Sequence, residues 1–255
     1  MTSLRWVRLL PVLAGWTACV LLVLVVPRNL VMALAFGQHV EPLLVIALLG
    51  GVLCGFAADA YRVRTSPGCR RCGRTRPVVR RPDDTLVPPR WARVATRVAV
   101  VVPLAGFTLP HWLWALGVPL GTTRTAELSG AAGSLFVLGA VPAVGALLTA
   151  GLARGWSQRF PRWVPGLAGR RVPAALAMTP PLVAGLLVGQ YGALMTRCVA
   201  FGLTSACDPG GTGEAALAGQ WAFTATYPVF LGWGVALLVA TAGYRATTRS
   251  CPACR

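Results

Sequence analysis

Two cysteine pairs are the residues of this sequence best suited to chemistry. Cys69 and Cys72 stand in the segment GCRRCG, and Cys251 and Cys254 stand in SCPACR. In each pair the short turn between the cysteines aims two thiolates at one point, which is typical of a tetrahedral zinc site with four cysteine ligands. The sequence therefore predicts a structural zinc ion bound by all four residues, provided that the fold brings the two pairs together.

Two other interpretations of the pairs remain open: thiol redox chemistry and incidental cysteines. A redox pair usually gains thiolate character from the N-terminus of a helix that follows it. Only Arg255 follows Cys254, and proline and glycine surround the first pair, so neither pair is expected to begin a helix. The arginines within GCRRCG could still lower a thiol pKa, which makes Cys69 and Cys72 the better redox candidates.

The composition predicts that the elements carrying these pairs lie in a membrane. Hydrophobic residues make up 55% of the 255-residue chain, charged residues only 12%, and the mean hydropathy is +0.64. A soluble domain of this size exposes too much surface to water for that balance. We therefore expect an integral membrane protein.

Six apolar stretches are long enough to cross a bilayer as helices, at approximately 9–27, 42–60, 97–118, 129–153, 172–195 and 221–243. Hydrocarbon offers no partners to backbone polar groups, so each span should be helical. The predicted fold is all-α, a polytopic transmembrane bundle forming one domain over residues 1–255. An arginine- and proline-rich loop at 62–96 carries the first cysteine pair, and a tail at 244–255 carries the second.

The arginines predict the orientation of this bundle. All 24 basic residues are arginine, and the net charge is +17. If the N-terminus is cytoplasmic, 21 of the 24 fall on the cytoplasmic side, as the positive-inside rule requires. Both termini, and both cysteine pairs, are then cytoplasmic. The basic charge is a signal of topology, so nucleic acid is not an expected partner. The first span could instead be a signal peptide, but its apolar core is longer than usual, which favours a retained helix.

Four further cysteines and two glycine pairs have structural interpretations. Cys198 and Cys207 lie in the last outside loop, in an oxidising compartment, and are predicted to form a disulfide. Cys19 and Cys54 lie within spans and are expected to be packing residues. The small-xxx-small spacing of Gly51 with Gly55, and of Gly185 with Gly189, predicts faces where helices approach closely.

Few polar residues lie within the spans, and each is a candidate for lining a cavity because burial in hydrocarbon is costly. Asp59 lies near the inner end of the second span, where local pairing with Arg62 is the expected alternative. His111 could bind a ligand, but a hydrogen bond to a neighbouring carbonyl is the favoured interpretation. Gln190 and Tyr191 could line a cavity or bond between helices.

The inside loop RGWSQRFPRWVPGLAGRRVP interleaves aromatic residues with five arginines. Tryptophan and arginine together favour the headgroup zone, and anionic lipids attract basic segments. Pro161 and Pro165 argue against a long helix here. We expect this loop to lie on the inner leaflet, against anionic headgroups.

The same loop resembles a known group of sequences. The pattern WxxxFPRWxP from Trp156 to Pro165, continued by LAGRRVP at 167–173, resembles a signature of uncharacterised multi-pass membrane proteins of actinobacteria. The segment WALGVPLG at 114–121 is similar to the end of an earlier helix in that group. The resemblance implies a shared fold and a bacterial plasma-membrane location. It implies no activity, so no catalytic residue follows from it.

Three functions are compatible with these observations. No paired carboxylates, metalloprotease motif, nucleophile elbow or nucleotide fingerprint occurs in the sequence, which favours a non-enzymatic role but leaves thiol redox chemistry open. The favoured hypothesis is a scaffold or regulatory module that binds a protein partner on its cytoplasmic side. The alternatives are a transporter of small solutes or lipophilic compounds, with a cavity involving His111 and Gln190, and a membrane thiol oxidoreductase.

Overall fold

Helices dominate the computed structural model, which describes residues 3–22, 42–65, 69, 80–83, 85–122, 130–201 and 221–249. Over these ranges there is no β-strand, and pairing between extended segments is confined to two isolated bridges. The α-helices are α1 (Ser3–Val20), α2 (Pro42–Thr65), α3 (Arg90–Pro103), α4 (Leu109–Ala115), α5 (Ala132–Ala150), α6 (Ala174–Ala200) and α7 (Trp221–Thr248).

The helices are those of a multi-pass membrane protein. Five helical segments are long and apolar enough to cross a bilayer: Val45–Thr65, Arg90–Ala115, Ala132–Ala153, Ala174–Ala200 and Trp221–Thr248. The second of these runs from α3 through a short π-helix, Leu104–Thr108, into α4. The first predicted span, 9–27, contains the shorter apolar helix Leu10–Val20, and its last residues lie outside the described ranges. The predicted all-α transmembrane bundle is confirmed.

Three helices, α2, α3 and α7, extend further toward the arginine-rich end than hydropathy predicted. The third span was expected to begin at residue 97, but α3 begins at Arg90. Its first turns are amphipathic: Ala92 and Thr96 are buried, while Arg93 and Arg97 are exposed. A hydropathy average counts these arginines against a span, whereas a helix can carry them on the face that points away from the bundle. For the same reason α2 and α7 each continue five residues past their predicted inner ends, from 60 to Thr65 and from 243 to Thr248.

Two prolines bracket the π-helix in the third span. Pro103 immediately precedes it, and Pro110 follows it at the second residue of α4. Pro110 has no amide hydrogen to donate to a carbonyl one turn earlier, and a wide turn before a proline avoids the clash with that carbonyl. The Leu109 amide bonds instead to the carbonyl of Leu104, five residues back. The helix thus continues through both prolines.

Helix α7 is the centre of the bundle and packs most closely against α6. Gly185 and Gly189 of α6 face Gly234 of α7, with Gly192 against the backbone of Leu231. A methyl group added to Gly234 would lie 2.7 Å from the Gly185 carbonyl oxygen and would collide with the backbone of Gly189. These glycines therefore let the two helix backbones touch, as their spacing predicted.

The other face of α7 packs on α3, and Gly243 meets Ala92 there without room for a side chain. A buried cluster around Ala99, Trp233 and Leu237 fills the space between these helices. Helix α5 also belongs to the bundle. It packs on α3, the π-helix and α4. Its outer face bears exposed apolar residues, which suits contact with lipid: Val137, Val141, Val144, Leu147 and Leu148.

Helices α1 and α2 form an antiparallel pair at the side of this bundle. Gly15 packs against Ala58, and Gly55 packs against Cys19 and Trp16. Both Cys19 and Cys54 are thiols at this interface, so their predicted packing role is confirmed. Because Gly15 contacts Ala58 and Cys19 contacts Gly55, the start of α1 lies close to the end of α2.

The arginine-rich segments within the described residues gather at one end of the bundle, which we call the basic end. It comprises the first turns of α3, the loops at 80–89 and 154–173, and the last turns of α2 and α7. The first and last described residues lie at this same end. This is the grouping of charge that the topology prediction required.

The glycine contact between α6 and α7 predicts a position-dependent effect of adding one methyl group. Alanine favours a helix over glycine by about 1 kcal/mol, so the collision at Gly234 must outweigh this gain. We expect Gly234→Ala to destabilise the protein by about 1–3 kcal/mol, because overpacking forces the backbones apart. The measurement is the unfolding midpoint in a denaturing detergent.

Gly232→Ala, two residues away on the exposed face, is the matched control. Nothing lies within 4 Å of a methyl group at that position. We expect this variant to equal or exceed the wild type in stability. Equal stability of the two alanine variants would contradict backbone contact at Gly234.

Candidate functional site

The ends of α2 and α7 border an open, shallow cleft of about 280 Å³ at the basic end. The cleft is lined by Phe56, Asp59, Ala60, Val63 and Arg64 of α2 and by Arg245 and Arg249 at the end of α7. The guanidinium carbon of Arg245 lies 5.5 Å from the centre of the Phe56 ring, within the range of a cation–π contact. This contact ties the side helix α2 to the central helix α7.

The Asp59 side chain lines this cleft and forms an ion pair within α2. Its carboxylate lies 3.6 Å from the Arg62 guanidinium, one turn further along α2. The Asp59 side chain is 35% exposed, so water screens the pair, and exposed pairs contribute at most about 1 kcal/mol to stability. The local ion pair expected from the sequence is present, and the carboxylate faces a basic cleft instead of a membrane-depth cavity.

In the sequence, each cysteine pair follows one of the two helices that border the cleft. Cys69 is half-buried and carries a thiol, not a disulfide. Cys72, Cys251 and Cys254 lie outside the described residues. Within the ranges that the structure describes, no three His, Cys, Asp or Glu side chains come together as metal ligands. Because three of the four predicted ligands lie outside those ranges, the zinc site stays a prediction.

A glutamine joins the two loops of the basic end. The Gln158 side-chain amide donates to the Leu86 carbonyl at 2.8 Å, and its oxygen accepts from the Leu86 amide, also at 2.8 Å. One side chain thus satisfies both backbone groups of a residue 72 positions away, as a neighbouring strand would. Arg81 adds a bond to the Ala153 carbonyl at 3.1 Å.

Tyr244 connects these joined loops to α7. Its hydroxyl donates to the Ser157 carbonyl at 2.7 Å, and its ring is buried against Leu152 and Ala240. The result is a single docked unit, made of both loops and the end of α7. Nothing in the sequence singled out Gln158 or Tyr244, because a side chain that bonds to a distant backbone has no local pattern.

The first loop is also ordered by its own turn. Asp83 accepts bonds from the Thr85 hydroxyl at 2.6 Å and from the Thr85 amide at 3.1 Å, an arrangement typical of turns. These bonds favour the ionised carboxylate and lower the pKa of Asp83. Gly155 of the second loop packs directly on this turn, where a methyl group would lie 3.0 Å from the Asp83 carboxylate.

The second loop is a turn-rich hairpin without a long helix, and its prolines had argued against a long helix. Phe160 and Arg170 pair through the Phe160 amide, which bonds to the Arg170 carbonyl at 3.0 Å. The residues between them form turns, with Gly166 and Gly169 at positive φ. Trp163 stands at the tip and is 78% exposed. An exposed tryptophan beside arginines suits the headgroup zone predicted for this loop.

His111 is a packed residue of α4. It is 6% exposed, its Nδ1 lies 2.7 Å from the Phe107 carbonyl oxygen, and its ring stacks on Phe107 at 3.9 Å. Trp114 covers it from another side, at 4.8 Å between ring centres. The sequence favoured such a hydrogen bond between His111 and a neighbouring carbonyl over a ligand-binding role.

Gln190 and Tyr191 lie where α6 meets α7. Gln190 is 2% exposed, and Tyr191 lies 5.7 Å from the Phe230 ring and 6.4 Å from the Tyr227 ring. Phe230 in turn contacts Phe107, the stacking partner of His111, at 5.1 Å. Aromatic rings therefore occupy the space between His111 and Tyr191.

Cys198 is buried near the end of α6 opposite to the basic end and is disulfide-bonded. Its predicted partner, Cys207, lies outside the described residues, so the identity of the pair stays a prediction.

No protein-family model, curated protein or solved structure matches the chain. The resemblance of the 156–173 and 114–121 segments to actinobacterial membrane proteins therefore stays an expectation.

The docking of the loops predicts that Gln158 controls the exchange of the Leu86 amide hydrogen. Gln158→Ala removes the acceptor of that amide and the donor to its carbonyl, and a lost hydrogen bond costs about 1 kcal/mol. We expect the Leu86 amide to exchange about five- to tenfold faster, because the loop opens more often. The measurement is hydrogen–deuterium exchange followed by mass spectrometry.

Ser157→Ala is the neighbouring control, because the Ser157 hydroxyl bonds within its own turn, to the Arg154 carbonyl at 3.3 Å. It should leave exchange at Leu86 unchanged. Unaltered exchange in Gln158→Ala would show that the loops are held by something other than this glutamine.

Proposed function

We propose that this protein is a non-enzymatic scaffold or regulatory module of a bacterial plasma membrane, with its basic end in the cytoplasm. We propose further that Cys69, Cys72, Cys251 and Cys254 bind one structural zinc ion at that end. The observation that carries the zinc proposal is the shared cleft of α2 and α7, since each cysteine pair follows one of these helices.

The chain lengths involved permit the two pairs to meet. Cys69 is four residues beyond Thr65, the end of α2, and Cys251 is three residues beyond Thr248, the end of α7. An extended chain spans about 3.5 Å per residue, so each pair can reach about 10–14 Å from its helix end. The two helix ends border one cleft, which leaves a short gap for these segments to bridge.

A site of four cysteines has a structural consequence. Zinc with four protein ligands has no open position for water or substrate, so it holds chain segments together and performs no catalysis. Reduced thiols are available for metal in the cytoplasm. Such an ion would fasten α2, which otherwise packs mainly on α1, to the central helix α7.

The docked loops supply a surface for a partner. Hydrogen bonds from Gln158, Arg81 and Tyr244 fix the loops, so the arginines they carry are presented on a defined surface. Complementary charge favours an acidic protein partner. Anionic headgroups at the cytoplasmic face would surround this surface.

The transport hypothesis receives no comparable support. It requires a cavity at membrane depth that reaches His111 and Gln190. Both side chains are buried among packed helices, and the rings of Phe107 and Phe230 lie between His111 and Tyr191.

The zinc proposal predicts a specific loss of metal. Purified wild-type protein should contain about one zinc ion per chain, and Cys251→Ser should lose it, because three thiolates bind zinc more weakly than four. The segment 62–95 should become sensitive to protease at the same time. Elemental analysis and limited proteolysis measure the two effects.

Cys54→Ser is the control, since Cys54 is a thiol at the interface of α1 and α2. It should retain the zinc ion. Equal zinc content in wild type and Cys251→Ser would reject the four-cysteine site, and loss of thiols to a redox partner in the absence of zinc would favour the oxidoreductase alternative.

The scaffold proposal predicts that a protein partner co-purifies with the intact chain and is lost when residues 250–255 are deleted. The deletion begins after Arg249 because α7 runs to Thr248 and buries Tyr244, so a longer cut would damage the bundle. Affinity purification from membranes with quantitative mass spectrometry provides the comparison. Identical co-purifying proteins for both chains would contradict a role of the tail in binding a partner.

A further inference from the structure

We infer that the cleft between α2 and α7 binds the phosphate headgroup of an anionic phospholipid. Three arginine side chains line it: Arg64 of α2, Arg245 of α7 and Arg249, which directly follows α7. One carboxylate, that of Asp59, lies among them, so the lining carries a net positive charge. All of these side chains lie in the described residues, and none of them is a proposed zinc ligand.

The arrangement suits a phosphate group. Guanidinium groups bind phosphate oxygens through paired hydrogen bonds, so arginine is the preferred side chain for this ligand. The Phe56 ring lies under the Arg245 guanidinium and limits where that group can go, which reduces the cost of ordering it. A volume of about 280 Å³ accommodates a headgroup but is below the usual range for a drug-sized ligand.

The apolar part of the lining favours a lipid over a soluble anion. Phe56, Ala60 and Val63 form one side of the cleft, and Phe56 is exposed. Toward the middle of α2, the exposed side chains of Leu53, Val52 and Leu49 continue this surface. An acyl chain can therefore lie along α2 while its phosphate contacts the arginines, which is how basic pockets between membrane helices recognise lipid headgroups.

Arginines near a helix C-terminus also have a simpler explanation, which is that they offset the partial negative charge of the helix end. An arginine would offset the charge of the helix end whether or not its side chain lines the cleft. It predicts no binding of lipid and no difference between anionic and zwitterionic headgroups. The two explanations can therefore be separated by measuring binding.

The test titrates purified full-length protein in neutral detergent with phosphatidylglycerol, phosphatidylcholine or inorganic phosphate. Thermal stabilisation and lipid adducts in native mass spectrometry report binding. We expect phosphatidylglycerol to bind and phosphatidylcholine and inorganic phosphate to bind at least tenfold more weakly. Equal binding of phosphatidylcholine would overturn the inference, and so would equal potency of inorganic phosphate, which would assign the cleft to a soluble anion.

Four variants connect this binding to the cleft. One basic residue contributes about a fivefold change in affinity, so Arg64→Gln and Arg249→Gln should each weaken phosphatidylglycerol binding by about fivefold, and the double variant by about 25-fold. Arg93→Gln, an exposed arginine of α3 at the same basic end, is the control and should change affinity by less than twofold.

Asp59→Asn should act in the opposite direction and strengthen binding, because it removes the one carboxylate in the lining and releases Arg62 from its ion pair. Misfolding cannot produce a gain and a loss from neighbouring substitutions. Wild-type affinity in the double variant, or an equal loss in Arg93→Gln, would overturn the inference.

Discussion

The close contact between α6 and α7 is the constraint on which the rest of this structure depends. In a bilayer, helices gain little from burying apolar surface, so they associate through close packing of small residues. Gly185 and Gly189 meet Gly234 with backbone against backbone. This contact fixes the position of α7 in the bundle. Helix α3 then packs on the opposite face of α7, where Gly243 meets Ala92.

The position of α7 determines the organisation of the basic end. Near its end, the buried Tyr244 holds the loop at Ser157, and one residue further Arg245 lies over Phe56 of α2. The same turns of one helix thus hold both the docked loops and the cleft. Gln158 extends the docking to Leu86, so segments separated by 72 residues act as one surface. The proposed zinc ion and lipid headgroup would both bind where this organisation brings α2 and α7 together.

Much of the fold could be predicted from the sequence, and the errors have a physical cause. The helical nature of the spans follows from hydropathy, because hydrocarbon permits only helices with satisfied backbones. Five of the six predicted spans are helices long and apolar enough to cross a bilayer. The start of α3 was predicted seven residues late, since its arginines lie on an outward face that a sequence average cannot distinguish. The local bonds of His111 and Asp59 could also be predicted from the sequence, because the partner of each side chain lies within four residues of it.

The sequence by itself determined the helical spans, the segregation of arginine to one end and the spacing of the cysteine pairs, since each is a property of residues close together in the chain. Only the tertiary structure decided that α2 and α7 share a cleft, that Gln158 bonds to Leu86 and that Tyr244 bonds to Ser157. These contacts join residues far apart in the chain. They depend on how the helices are arranged side by side, which no local pattern in the sequence records.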